Sequence, residues 1–165
     1  MERISIRKIK QDLLRHEGLR LKPYLCTAGK LTLGVGRNLE DRGISEEEAE
    51  FLLTNDIESI ITDLTSHLAW FEGLPAEAKE VLVNMVFNLG IAGVLGFVKT
   101  LNALKVSDWK SASDEMLDSA WAKQTGPRAE ELAARIREID QQNKASLEIL
   151  TEIKEQISLI EKRMG

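Results

Sequence analysis

Apolar residues near the start of the chain recur at the spacing of a helix. After Ser5, apolar residues recur every three or four positions, which is typical of an amphipathic helix. Gly18 is a typical residue at the C-terminal end of a helix. The pattern therefore predicts a helix whose last turn contains Glu17. Its apolar positions are Ile6, Ile9, Leu13 and Leu14.

A β-hairpin is predicted for residues 24–35, where the apolar period drops to two. The second strand then presents Thr32, Gly34 and a further glycine on one side and aliphatic side chains on the other. If the turn centres on Gly29, Cys26 lies directly opposite Thr32. The two glycines leave room for a ligand to approach the backbone.

The rest of the chain is predicted to be mainly helical. Ser45 and Glu48 have the spacing of a capping box, and a long amphipathic helix follows as far as Leu68. Pro75 precedes a nearly all-round apolar helix, typical of a central buried element, which Gly90 is expected to end. Further helices are predicted at residues 97–104 and 109–117 and from Arg128 almost to the C-terminus.

The last helix carries a heptad seam in its C-terminal part, with polar breaks at Asn143 and Ser146. Two interpretations are open. The seam packs back on the domain's own surface, for instance on the helix that follows Ile4, or it binds a second copy of the chain or another protein. The seam positions are Ile139, Asn143, Ser146, Leu150, Ile153, Ile157, Ile160 and Met164.

Composition limits the class of protein. A chain of 165 residues with 43% apolar content can bury a core. No membrane span or signal peptide is visible, so cytoplasmic synthesis is expected. A net charge of −5 without a Lys/Arg cluster argues against nucleic acid as a partner. One cysteine, without Cys/His ligand spacing, excludes an internal disulfide and a zinc site, and no cofactor is expected.

Glu17, Cys26 and Thr32 are the candidate catalytic residues. A hydrolytic site needs an acid that protonates the leaving oxygen and a second group that delivers water or attacks the substrate. Glu17 suits the acid because it stands at the negative end of a helix. Cys26 can supply the second group as a thiolate, or it is a small packing residue. The Thr32 hydroxyl can orient a water, or Thr32 is simply a favoured strand residue.

An ordered series of motifs runs from about Ile6 to Arg137 and covers most of the chain. It comprises Glu17-Gly-Leu-Arg-Leu, Tyr24, Thr27, Gly29, Thr32, Gly34-Val-Gly36, Asn84-Met-Val-Phe-Asn-Leu-Gly90, Gly96-Phe97, Trp121, Gln124-Thr125 and Arg128-Ala129. The series closely resembles the phage-type lysozymes of glycoside hydrolase family 24.

The resemblance implies an α+β, mainly helical, lysozyme-like fold with a small β-hairpin lobe and a larger helical lobe. We expect a lysozyme domain at residues 1–137, with the hairpin lobe at about 18–44, and a C-terminal helical extension at 138–165. The family cleaves the β-1,4 bond between N-acetylmuramic acid and N-acetylglucosamine in peptidoglycan.

The resemblance also assigns roles to residues. The family's catalytic Glu and Thr match Glu17 and Thr32, and an arginine that the family pairs with the Glu matches Arg128. Two positions depart from the family pattern. Cys26 replaces the catalytic Asp, and Arg37 occupies the position at the end of the strand motif where the family commonly has a His. The other substrate-binding or supporting positions are Tyr24, Gly34, Arg37 and Asn84.

The sequence thus predicts an endolysin that hydrolyses bacterial peptidoglycan and lyses the host cell. It would be made in the host cytoplasm and reach the wall through separately formed membrane lesions. Two alternatives remain. One is a lytic transglycosylase, in which a single acid suffices. The other is an inactive peptidoglycan-binding module with a helical oligomerisation tail.

Overall fold

The computed structural model describes residues 4–164 and the side chains of residues 4–163. Within them the chain is mainly helical with one small antiparallel sheet, which confirms the predicted class. The helices are α1 (Ile6–Glu17), α2 (Glu46–His67), α3 (Ala76–Leu95), α4 (Val98–Lys105), α5 (Trp109–Leu117), α6 (Ala120–Thr125) and α7 (Pro127–Met164), with a 3₁₀ turn at Phe71–Gly73. The strands are β1 (Arg20–Leu25), β2 (Leu31–Gly34) and β3 (Arg37–Asn38).

The chain divides into two compact units, and the division falls within α2, between Thr54 and Asn55. We call residues 4–54 the smaller unit and residues 55–164 the larger unit. Helix α7 continues without interruption across the expected domain boundary at residues 137 and 138. That boundary stays a prediction.

Helix α1 begins and ends where the local sequence predicts. The Ser5 hydroxyl accepts a hydrogen bond from the amide of Lys8 at 3.4 Å, as an N-cap residue does. At the other end the amide of Gly18 donates to the carbonyl of Leu14 at 3.0 Å, and the glycine has a φ of 74°. None of the α1 side chains is buried.

The register of the hairpin differs from the prediction. Thr32 lies opposite Tyr24, not opposite Cys26. The Cys26 amide instead donates to the carbonyl of Lys30 at 3.0 Å. The turn centres one residue earlier than expected, because Gly29, with a φ of 73°, ends a three-residue loop in the left-handed conformation.

A third strand was missed by the sequence pattern. The period of two extends through Val35, whereas β2 ends at Gly34. Positive φ angles at Gly34 and Gly36 then turn the chain into β3, which places Asn38 opposite Thr32. A short alternating run cannot distinguish a continuous strand from two strands joined by a glycine turn.

Helix α2 starts with the predicted capping box. The amide of Glu48 donates to the Ser45 hydroxyl at 3.2 Å, and the amide of Ser45 donates to the Glu48 carboxylate at 2.8 Å. Two otherwise unpaired amides are therefore satisfied, which fixes where the helix begins.

Helix α3 forms the centre of the larger unit. Val81, Leu82 and Met85 are fully buried. Gly90 interrupts the helix at the predicted position. It has non-helical angles, with a φ of 72°, and the helix resumes and runs to Leu95. Among the described helices α3 alone is long and apolar enough to cross a membrane, but the core helix of a globular protein has the same composition.

Helix α7 has two parts with different surroundings. Its first part packs against α3, α5 and α6 and buries Leu132, Ile136 and Ile139. From Gln141 to Arg163 every side chain is exposed. Of the two interpretations of the seam, packing on the protein's own surface is seen at Ile139, whereas the seam positions from Asn143 to Ile160 are exposed. The seam position at Met164 lies outside the described side chains.

Candidate active site

Glu17 is the last residue of α1 and its side chain is exposed. The turn between β2 and β3 lies beside its carboxylate. A Cβ atom added at Gly36 would stand 3.6 Å from Oε2 of Glu17. A glycine at this position therefore keeps one side of the carboxylate free of any side chain.

Cys26 is half-buried at the end of β1. Hydrogen bonding from the backbone of Lys30 lowers the pKa of the Cys26 thiol most, followed by the backbone of Ala28 and the hydroxyl of Thr32. Desolvation raises the pKa of the thiol and so acts in the opposite direction. The loop therefore increases the fraction of Cys26 that is thiolate, the form able to take a proton or attack carbon.

Thr32 is 3% exposed and is the only buried side chain among residues 4–54. Its hydroxyl donates to the carbonyl of Lys30 at 2.9 Å. A hydroxyl carries one proton, so it can donate either to this carbonyl or to the Cys26 thiolate. The Cys26 amide also donates to the Lys30 carbonyl, at 3.0 Å, so Cys26 and Thr32 share this acceptor although they are not directly paired in the sheet.

Arg37 supports the local structure. Its guanidinium donates two hydrogen bonds to the Glu48 carboxylate and one, at 2.9 Å, to the carbonyl of Gly43. The backbone amide of Ser45 is the main cause that lowers the pKa of Glu48, and Arg37 adds to it. This bidentate pair fastens β3 to the first turn of α2.

Tyr24 has a partner that the sequence analysis did not identify. The Arg20 guanidinium lies over the Tyr24 ring, 4.3 Å from its centroid. Both residues are on β1 with an even spacing, which is the signal that could have indicated a shared side of the strand. The effect of Lys30 on the pKa of the Cys26 thiol had no such signal in the sequence, because it comes from the backbone of Lys30 and not from its side chain.

Arg128 and Asn84 are bonded to each other in the larger unit. Nε and Nη2 of Arg128 donate to Oδ1 of Asn84 at 2.9 Å and 2.6 Å. Nη2 also lies 3.3 Å from the Asn84 carbonyl oxygen. Two residues expected to support the site therefore act as one group. The pairing of Arg128 with Glu17 stays a prediction.

The larger unit also contains an open groove of about 630 Å³ between α4, α5 and α6. Phe97 and Trp121 contribute to its wall and pack edge to face, with ring centroids 5.9 Å apart. Lys99 and Glu115 form an ion pair at 3.4 Å on its rim.

Comparison with known proteins matches residues 14–138 to the family described as Phage lysozyme. The chain belongs to the phage lysozyme family. The match includes all the predicted catalytic residues together with Asn84 and Arg128, and it ends before the exposed part of α7. The predicted family and enzyme class are confirmed: this is a lysozyme-type cell-wall hydrolase.

Three relatives illustrate the range of the family. An endolysin of Acyrthosiphon pisum secondary endosymbiont phage 1 is 35% identical over 118 residues, covering 69% of this chain and 78% of the endolysin. Probable T4-type lysozyme 1 of Dictyostelium discoideum is 26% identical, covering 72% of this chain and 88% of its own. The pre-baseplate central spike protein Gp5 of Enterobacteria phage T4 is 30% identical over 71% of this chain, which spans only 25% of the spike protein.

Proposed function

We propose that this lysozyme is an endolysin that hydrolyses the β-1,4 bond between N-acetylmuramic acid and N-acetylglucosamine in bacterial peptidoglycan. One observation carries the proposal. The exposed carboxylate of Glu17 belongs to the same unit as Cys26 and Thr32, and the Cys26 amide and the Thr32 hydroxyl both donate to the carbonyl of Lys30, at 3.0 Å and 2.9 Å. An acid together with an activatable water site is what glycoside hydrolysis requires.

Glu17 is the general acid. It donates its proton to the glycosidic oxygen as the bond to the anomeric carbon breaks, so the leaving sugar departs as an alcohol. The side chain is exposed at the end of α1, and the neighbouring Gly36 has no side chain to hinder a polymeric substrate. The free carboxylate is then reprotonated from solvent.

Cys26 is the general base. Its lowered pKa increases the thiolate fraction, and the Thr32 hydroxyl next to it can hold a water. As that water attacks the anomeric carbon, its proton passes to the sulfur of Cys26 and its oxygen forms the new bond to carbon. The configuration of the anomeric carbon is inverted.

A retaining route uses the same residues differently. In it the Cys26 thiolate attacks the anomeric carbon itself and forms a glycosyl thioether, which water later hydrolyses. Inversion is favoured because the Thr32 hydroxyl and the Cys26 amide share the Lys30 carbonyl, which places a hydroxyl near the thiol as a partner for an attacking water. The two routes differ in the anomer of the first product.

The reaction is tested on purified peptidoglycan. Hydrolysis should yield fragments that end in reducing N-acetylmuramic acid, and NMR recorded during the first turnovers should show the inverted anomer. Anhydro-muramic products would identify a lytic transglycosylase. Binding to the wall without any loss of turbidity would identify an inactive binding module.

Replacements of Cys26 test its role separately. Cys26→Ala should remove most of the activity, whereas Cys26→Asp should retain it, because a carboxylate can also accept the proton of water. Thr27→Ala in the same loop is the matched control and should have little effect. Full activity in Cys26→Ala would reduce Cys26 to a packing residue.

Two further assignments accompany this function. Arg128, held by Asn84, is proposed to orient the Glu17 carboxylate, and Arg128→Ala should then shift the acidic limb of the pH profile of activity. Unchanged kinetics and an unchanged pH profile would show that Arg128 does not act on Glu17. Action from the host cytoplasm after membrane lesions form stays a prediction.

A further inference from the structure

We propose that residues 146–163 of α7 pair with the same segment of a second copy of this chain, as an antiparallel two-helix coiled coil. The proposal concerns an interaction surface and does not depend on the proposed function. It rests on the exposure of the seam, on the direction that the seam faces and on the position of its polar break.

The exposed part of α7 carries a large apolar surface. Seven leucine and isoleucine side chains of this segment are between 49% and 66% exposed. Soluble monomers rarely leave so much contiguous apolar surface in water. The side chains are Leu147, Ile149, Leu150, Ile153, Ile157, Leu159 and Ile160.

One heptad stripe runs along the whole of α7. Its first members, including Leu132, Ile136 and Ile139, are buried against the larger unit, and the same spacing continues to Ile157 and Ile160. A straight helix drifts about 20° per heptad against such a repeat. Three heptads separate Ile139 from Ile160. The exposed seam therefore faces within roughly 60° of the side of α7 on which α3 and α5 of the larger unit lie.

The direction of the seam decides the orientation of the pair. A parallel partner lying along the seam would have its own larger unit at the same end, in the space that α3 and α5 of the first chain occupy. An antiparallel partner extends away from the first chain, with its larger unit beyond the far end of the helix. Only the antiparallel arrangement avoids this overlap.

The polar break sets the register. With the centre of the pair between Ile153 and Ile157, these two residues face each other across the interface, and Leu150 faces Ile160 of the partner subunit. A shift of one heptad would place Asn143 and Ser146 against isoleucine. Such a shift leaves buried polar groups unsatisfied, which is unfavourable, so the polar residues favour the centred register.

The charges of the segment favour a protein partner over a membrane. Residues 141–163 contain four acidic and four basic side chains, interleaved along the helix, so they offer no net attraction to anionic lipid. Pairing two copies covers on the order of 1,000 Å² of apolar surface, near the lower limit for a specific interface. A reversible dimer is the expected result.

The full chain is tested first by its mass in solution. Sedimentation equilibrium over a range of about 1 μM to 1 mM should give a mass that rises from 18.5 kDa towards twice that value. Ile157→Glu should keep the chain monomeric across the range. Ser158→Glu adds the same charge one position away, outside the seam, and should leave the dimer intact.

Cross-linking then tests the orientation in a Cys26→Ser background. A chain with both Leu150→Cys and Ile160→Cys should oxidise to a covalent dimer, whereas Leu150→Cys alone should not. Efficient cross-linking of the single variant would indicate a parallel pair and overturn the proposed arrangement.

A monomer at every concentration would overturn the pairing itself. Two measurements then identify what covers the seam. Co-sedimentation of the full chain with vesicles of anionic phospholipid would show that the seam binds a membrane. A loss of thermal stability on deletion from Gln141 onward would show that the seam packs on the chain's own surface. Loss of pairing leaves the muramidase proposal untouched, because that is tested on peptidoglycan products.

Discussion

The two units of this lysozyme are stabilised by different kinds of contact. In the smaller unit Thr32 is the only buried side chain among residues 4–54, and caps, strand hydrogen bonds and the Arg37–Glu48 ion pair hold its elements. The larger unit instead has an apolar core around Leu82 and Met85. The proposed acid and base lie in the smaller unit. The proposed catalytic residues and the apolar core therefore belong to different parts of the chain.

This contrast predicts that the largest effect on activity comes from Glu17. Glu17→Gln should lower the rate of peptidoglycan cleavage by about 10²- to 10⁴-fold, because the amide cannot donate a proton. The unfolding temperature should not change, since the side chain is exposed. Turbidity loss and circular dichroism measure the two quantities, and Glu50→Gln on α2 is the control. Appreciable residual turnover would falsify the assignment of the acid.

The largest effect on stability should come from the other unit. Leu82→Ala removes a fully buried side chain of the core and should lower the free energy of unfolding by about 2–5 kcal/mol. Leu13→Ala on α1, where the side chain is 47% exposed, should cost less than about 1 kcal/mol. Urea unfolding of both variants measures the difference. Equal losses would show that α1 is as well packed in solution as the core.

Caps should contribute measurably in the smaller unit because its elements bury so little. Ser45→Ala removes the hydroxyl that accepts from the Glu48 amide and should cost about 1 kcal/mol. Ser158→Ala, in the exposed part of α7, is the control and should be close to neutral. An unchanged urea midpoint for Ser45→Ala would mean that water replaces the cap without loss.

The smallest expected effect is on the titration of Cys26. Its alkylation by iodoacetamide should begin at lower pH than that of an ordinary cysteine, since hydrogen bonds from the backbone of Lys30 and Ala28 and from Thr32 lower the pKa of the thiol. Thr32→Val should move the alkylation midpoint up, and Thr27→Val should not. The same shift favours folding above the thiol's unfolded pKa, and this contribution is lost as pH falls through the lowered value.

The elements that sequence analysis predicted correctly have local causes. The Ser5 cap, the Gly18 stop and the Ser45 capping box each act within about one turn of helix, so the nearby residues suffice to identify them. The hairpin register was wrong because it depends on which loop residue is left-handed. Gly29 takes that role at the end of the loop and not at its centre.

The sequence by itself determined the family, the helical class and the identity of the three candidate catalytic residues, because these rest on ordered motifs and on short-range spacing. The tertiary structure decided which groups act on them. The Cys26 thiol is tuned by backbone groups of Lys30 and Ala28 that carry no residue-type signal. Arg128 meets Asn84, 44 positions earlier in the chain, only because α3 and α7 pack together. Contacts of this kind depend on three-dimensional packing, which spacing along a chain does not specify.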